Sequence, residues 1–151
     1  MTRRLWWALI LVAAVAAPSY AQVSGGVRAG VSGTPNQFVF GGHVETKELA
    51  DHLTFRPNVE IGVGNSATFV TINFEFAYWL PDKKTDPWHF YVGGGPAAVI
   101  AHFNNVTTST GGGFNFLVGV QNKGGLFTEL KIGVADSPNV KFVVGYVFKH
   151  K

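Results

Sequence analysis

Thr68-Phe69-Val70-Thr71-Ile72-Asn73-Phe74-Glu75-Phe76-Ala77-Tyr78-Trp79-Leu80 is the stretch that decides the fold. Val70, Ile72, Phe74, Phe76 and Tyr78 occupy every second position, with Thr71, Asn73, Glu75 and Ala77 between them. Successive side chains of a β-strand point to opposite faces, so one face is wholly apolar and the other small or polar. After Gln22 no stretch repeats apolar residues at helical spacing for three turns, and a helix has no claim on the chain.

The same period of two recurs on both sides of this segment. It predicts eight strands, near 23–32, 37–46, 53–64, 67–80, 88–103, 111–121, 126–136 and 140–149. Gly, Pro, Asn, Asp and Ser fill the joins, which are short enough for antiparallel hairpins and too short for helical crossovers. Gly93-Gly94-Gly95 and Gly111-Gly112-Gly113 lack the Lys-Ser/Thr of a phosphate loop and read as bends or bulges, as do Pro57 and Pro96. The expected class is all-β, an eight-stranded antiparallel up-and-down barrel occupying 22–151 as one domain.

Residues 1–21 read as an address. Arg3 and Arg4 precede an apolar run from Leu5 to Ala17, and Pro18-Ser19-Tyr20-Ala21 offers small residues where a signal peptidase cuts, between Ala21 and Gln22. The run is too short for a bilayer-spanning helix. Its removal leaves ten Lys and Arg against nine Asp and Glu, so the remainder is almost neutral. That balance argues against nucleic acid as a partner, and the absence of cysteine excludes disulfides and thiolate metal sites.

Which face turns inward decides the compartment. With the apolar face inside, the chain is a soluble periplasmic lipocalin-like barrel that binds an apolar ligand; with it outside, the chain crosses a membrane. The second face favours the membrane. It carries Gly41, Gly62, Gly93, Gly95, Gly113, Gly119, Gly133 and Gly145, the small residues a narrow lumen needs and a solvated face does not. Its few charges are of both signs: Arg28, Arg56, Lys131 and Lys141 against Glu45, Glu60, Glu75 and Glu129. The lumen set Arg28, Arg56, Glu60, Glu75, Glu129 and Lys131 would either line a narrow gated pore or form an ion-pair network that plugs the barrel, and the narrowness favours the plug.

The opposite face, with Phe38, Phe40, Val59, Phe74, Phe116, Leu130, Ile132 and Phe142 among others, is a lipid-facing band. Trp79 and Trp88 flank the connection 81–87, and with Tyr146 and Phe148 they are expected to form an interfacial aromatic belt on the periplasmic side. Lys47, Glu48, Asp51, Asp82, Lys83, Lys84, Asp86 and Lys123 all fall in connections on that side, whereas 33–36, 65–66 and 104–110 are uncharged.

Over 22–151 the chain resembles small Gram-negative outer-membrane β-barrels of the OmpA, OmpX and OmpW type. Phe55-Arg56-Pro57-Asn58-Val59-Glu60-Ile61-Gly62, Tyr91-Val92-Gly93-Gly94-Gly95-Pro96 and Glu129-Leu130-Lys131-Ile132-Gly133 are similar to segments of proteins described only as outer-membrane β-barrel-domain proteins. The resemblance implies residence in the outer membrane and outer-membrane lipid as partner. It also implies recognition of the C-terminal strand, with Phe142, Val144, Tyr146 and Phe148, by the barrel-assembly machinery. A monomer with no cofactor is expected, in a structural, surface-interaction or narrow-channel role.

Catalysis finds little support. A lipid-hydrolysing site wants a serine activated by a nearby histidine, yet there is no His between His102 and His150, and the last hairpin offers only Ser137. His43, His52, His89, His102 and His150 share no metal-binding spacing, so no metal is expected. His43 and His89 could face the lumen by parity.

Overall fold

A computed structural model of the chain describes residues 23–65, 67–104 and 107–148. The expected signal segment 1–21 lies outside the described residues, as does the tail after Phe148. Eight strands follow one another: β1 Ser24–Ser32, β2 Gln37–Glu45, β3 Leu53–Val63, β4 Ala67–Trp79, β5 Trp88–Phe103, β6 Thr108–Asn122, β7 Leu126–Ala135 and β8 Val140–Phe148. Each pairs antiparallel with its neighbours in sequence, and β1 closes on β8 from Gly25↔Phe148 to Ser32↔Lys141, giving a closed barrel. Closure leaves no sheet edge between β1 and β8, where an open sheet would expose unpaired backbone groups.

The faces are those of the membrane reading. Phe74, Phe116, Leu130 and Phe142 are exposed, while Glu75, Asn115, Glu129 and Lys141, their chain neighbours, are buried. Among the described residues the buried side chains include seventeen polar or charged against eleven hydrophobic, the inverse of a water-soluble core. The lipocalin-like alternative needs Phe74 inside, and it stands outside, 44% exposed.

The glycine runs do not bulge. β5 and β6 pair without a slip from Trp88↔Asn122 to His102↔Thr108, straight through both runs. β6 begins at Thr108, three residues before the expected start. The polar Thr108-Ser109-Thr110 breaks the apolar alternation, but β-branched residues suit a strand and β5 supplies the partner.

The two prolines do disturb the ladder, each on one side only. Along β5 the even-numbered residues turn their backbone groups to β4, as the bond from the Leu80 amide to the Phe90 carbonyl shows. Pro96 therefore lacks the amide that would face Phe74, and the β4–β5 ladder skips from Asn73↔Ala97 to Phe76↔Gly94 with its register unchanged. Along β3 the odd residues face β2, as the Thr46 amide to Phe55 carbonyl bond shows. Pro57 stands just past His43↔Asn58, where the β2–β3 ladder stops. Sequence reasoning expected bends or bulges at these prolines; the outcome is a missing hydrogen bond without an extra residue.

Candidate functional site in the barrel lumen

Every strand sends at least one side chain into a polar cluster across the middle of the barrel. Each site is the inward member of an alternating pair, so the strand period alone aims it at the axis. Arg28 comes from β1, Glu45 from β2, Arg56, Asn58 and Glu60 from β3, Asn73 and Glu75 from β4, Tyr91 from β5, Asn115 from β6, Glu129 and Lys131 from β7, and Lys141 from β8.

Lys131 is the hub. Its Nζ donates to Glu75 Oε1 and Oε2 at 2.9 and 3.0 Å and to Glu60 Oε1 at 3.2 Å, with Glu129 Oε2 at 3.8 Å. Arg28 bridges Glu60 and Glu129 at 3.3 and 3.6 Å. Arg56 joins Glu129 at 2.9 Å to Glu45 at 3.1 Å, and Lys141 pairs with Glu60. The expected lumen set is thus brought together with Glu45 and Lys141 added, and four cations meet four anions.

Neutral groups complete the carboxylates. The Tyr91 hydroxyl donates to Glu129 Oε1 at 2.8 Å. Asn58 Nδ2 donates to Glu75 Oε2 at 2.8 Å and Asn115 Nδ2 to Glu75 Oε1 at 3.3 Å. An amide chain runs alongside, Asn115 to Asn73 and Asn73 to Asn58, each bond 2.7 Å. These three asparagines escape a search for charges or motifs, yet all sit at inward parity on their strands and were legible on that ground. These bonds meet part of the buried ions' hydrogen-bonding capacity, while Arg28 Nε and Nη2 and Arg56 Nη2 have no hydrogen-bond partner among the described residues.

Three rings pack the cluster's side nearest the termini, and each lies directly across the ladder from a glycine. Tyr91 pairs with Gly119, Phe127 with Gly145 and His43 with Gly26. A Cβ on any of the three glycines would enter the ring opposite. The glycines therefore serve as volume for their partners. Arg56 stacks over Tyr91 at 4.7 Å and over Phe127 at 5.1 Å, Arg28 lies over Phe127 at 5.5 Å, and His43 meets Phe127 edge-on at 5.2 Å. With Arg56, Glu60, Glu75, Glu129 and Lys131 each 1% exposed, solvent does not reach this layer.

The aromatic belt needs one correction. Trp88, Tyr146 and Phe148 are exposed on the outer face, but Trp79 is partly buried and points inward. Its ring packs on Tyr91 at 4.7 Å between centroids, and its Nε1 donates to Thr54 Oγ1 at 3.1 Å. The cause is parity: Trp79 follows the outward Tyr78 and stands two residues beyond the inward Ala77. Trp79 instead forms a wall of a vestibule of about 350 Å³ at the end bearing the termini, whose lining includes Glu45, the partner of buried Arg56. His89, at the same mouth, pairs with Asp82.

At the other end the Ser137 hydroxyl is buried against Gly113 and Gly133, with no hydrogen-bond partner among the described residues. Among the described residues there is no cluster of three metal-ligating side chains.

No protein-family model matches the chain, and none of the curated proteins does. Solved structures do. The chain is similar to the N-terminal β-barrel domain of Pseudomonas aeruginosa OprF, with a TM-score of 0.58 and 14% identity over 85% of this chain and 99% of that one. It is similar also to Neisserial surface protein A, with a TM-score of 0.61 and 14% identity over 85% of this chain and 96% of that one. At such identity the likeness is one of fold: the chain is a closed eight-stranded antiparallel β-barrel of the architecture those two proteins share.

Proposed function

We propose that this chain is an integral protein of the bacterial outer membrane, delivered by a cleaved signal peptide, with a structural or surface role and no catalysis. The observation that carries the reading is the inverted distribution of polarity, ion pairs in the middle and a continuous apolar band outside. A soluble monomer ordinarily exposes apolar patches of no more than a few hundred Å², whereas here every one of the eight strands exposes large apolar side chains. Hydrocarbon is the medium that suits such a surface, since a closed barrel, the gaps at Pro57 and Pro96 apart, pairs its strand-to-strand backbone groups internally.

Both described ends of the chain emerge on the side that carries the charged connections, which we assign to the periplasm. The C-terminal strand offers Phe142, Val144, Tyr146 and Phe148 on its outer face to the assembly machinery, and the barrel works as a monomer. The lumen network is a plug, because ions could cross only by separating pairs that shield one another from a dry interior. Ser137, the one serine of the last hairpin, is packed against Gly113 and Gly133.

Cell fractionation tests the reading. The full chain should stay with the outer-membrane pellet after an alkaline wash, and its mobility on SDS gels should shift only on boiling. Release as a soluble periplasmic protein would overturn it.

A further inference from the structure

A cleft of about 290 Å³ opens at the end of the barrel remote from both described ends of the chain, between the β1–β2 turn, the β3–β4 turn and the end of β5. Its size is near the lower end of small-ligand sites. Gln37, at its floor, is only 7% exposed, and its side-chain amide has no hydrogen-bond partner among the described residues. That amide is nonetheless held in place. A Cβ at Gly62 would meet Gln37 Oε1 at 2.5 Å, and one at Gly64 would meet the Asn36 carbonyl oxygen at 2.9 Å and Gln37 Cγ at 3.1 Å, so Gly62 leaves room for the Gln37 side chain and Gly64 for the turn that carries it.

Two rings, Phe69 and Phe103, line the same cleft as the amide, with centroids 6.2 Å apart and planes at 75°. Asn36 and Asn65 line the rim, and Asn104 Nδ2 donates to the Asn65 carbonyl at 3.3 Å, tying the β5 end to the β3–β4 turn. Among the described residues no charged side chain lines the cleft. The surrounding connections 33–36, 65–66 and 104–110 carry no Asp, Glu, Lys or Arg.

These features restrict the ligand. A primary amide that opens on the cleft without a protein partner can both donate and accept, and so matches a pair of neighbouring hydroxyls. Aromatic surfaces take the C–H face of such a molecule. The lack of charge leaves a phosphate or carboxylate without a counter-ion. An extended peptide needs a free ladder edge, yet the strand ends at this mouth are already paired, as Ser32↔Gln37, Val63↔Thr68 and Ala67↔Phe103.

We propose that the cleft binds a neutral saccharide of one or two rings, with Gln37 bonding adjacent hydroxyls and Phe69 and Phe103 receiving the apolar face. On the orientation proposed above it opens to the cell exterior, although binding itself does not depend on that orientation.

The full chain, folded in phospholipid nanodiscs to avoid competition from glycoside detergents, is titrated with maltose and with N-acetylglucosamine. Binding is read by saturation-transfer NMR on the sugar. We expect saturable binding with a dissociation constant in the millimolar range, weakened about fivefold or more by Phe103→Ala and by Gln37→Leu, with the heat-dependent gel shift kept in both variants. Phe103 is 39% exposed, so its variant should fold even if the Gln37 variant does not. Three results would overturn the proposal: no saturation up to about 50 mM, sugar binding indifferent to Phe103→Ala, or tighter occupancy of the cleft by triglycine or octanoate. A chain that stays soluble without lipid refutes the membrane reading instead, and it can be titrated in plain buffer.

Discussion

Glu75 takes hydrogen bonds from Lys131, Asn58 and Asn115 at 2.8 to 3.3 Å, in a layer that solvent does not reach. Glu75→Lys would place a second ammonium beside Lys131 and remove one acceptor from each of the Asn58 and Asn115 amides. The expected cost is about 3–5 kcal/mol, read as a lower urea midpoint for the lipid-embedded barrel. The exchange Glu75→Lys with Lys131→Glu should recover part of that loss, because it restores the sign pattern though not the geometry. An unchanged midpoint for Glu75→Lys would remove Glu75 from the network. Gly119 tests the volume argument. A methyl there meets the Tyr91 ring, which cannot swing away without breaking its bond to Glu129. Gly119→Ala should cost about 1–3 kcal/mol, and clearly less in a Tyr91→Ala background. Equal costs in the two backgrounds would show that Tyr91 is not the obstacle. The charged members of the lumen were legible from parity, since all but Glu45 and Glu129, each beside a threonine, fall between apolar residues. Trp79 obeys the same parity. The expectation of a belt followed the chemistry of indole and the proximity of a connection, two signals that are silent about which face a residue occupies. The Gly–ring pairs were hidden because cross-strand register depends on where each hairpin turns, and no single strand records it.

Among the strands, β5 is the one with a built-in defect. Pro96 leaves the Phe74 carbonyl without its ladder donor in the middle of the apolar band. Pro96→Val should close the gap and stabilise the barrel by about 0.5–1.5 kcal/mol, with the new amide among those slowest to exchange with deuterium. A fast-exchanging amide at position 96 would contradict the pairing of that residue with Phe74. Strand number and order were open to reading because turn residues punctuate the chain at regular intervals. The start of β6 was not, because Thr108-Ser109-Thr110 owes its strand state to β5 rather than to a buried face of its own.

Across the complete barrel, eight strands bring both described ends to one side, and a buried ion-pair layer lies across the interior between a cleft at one mouth and a vestibule at the other. Planar bilayers holding the barrel should show no steady conductance, and Lys131→Ala, by leaving Glu60 and Glu75 short of a cation, should either admit current or unfold the protein. Steady single-channel steps from the unaltered barrel would replace the plug with a pore.

The membrane reading stands on one placement: the face of Phe142, Val144 and Tyr146 meets lipid, and the face of Val143, Gly145 and Val147 does not. The chain has no cysteine, so a cysteine placed at each of positions 142–147 in turn carries a unique spin label. In bilayers, accessibility to lipid-soluble oxygen along β8 should alternate with a period of two, high at 142, 144 and 146 and low at 143, 145 and 147. A high accessibility to a water-soluble relaxant at 142, 144 and 146 would refute that placement, for it would put the apolar band in water and reopen the question of where this barrel resides.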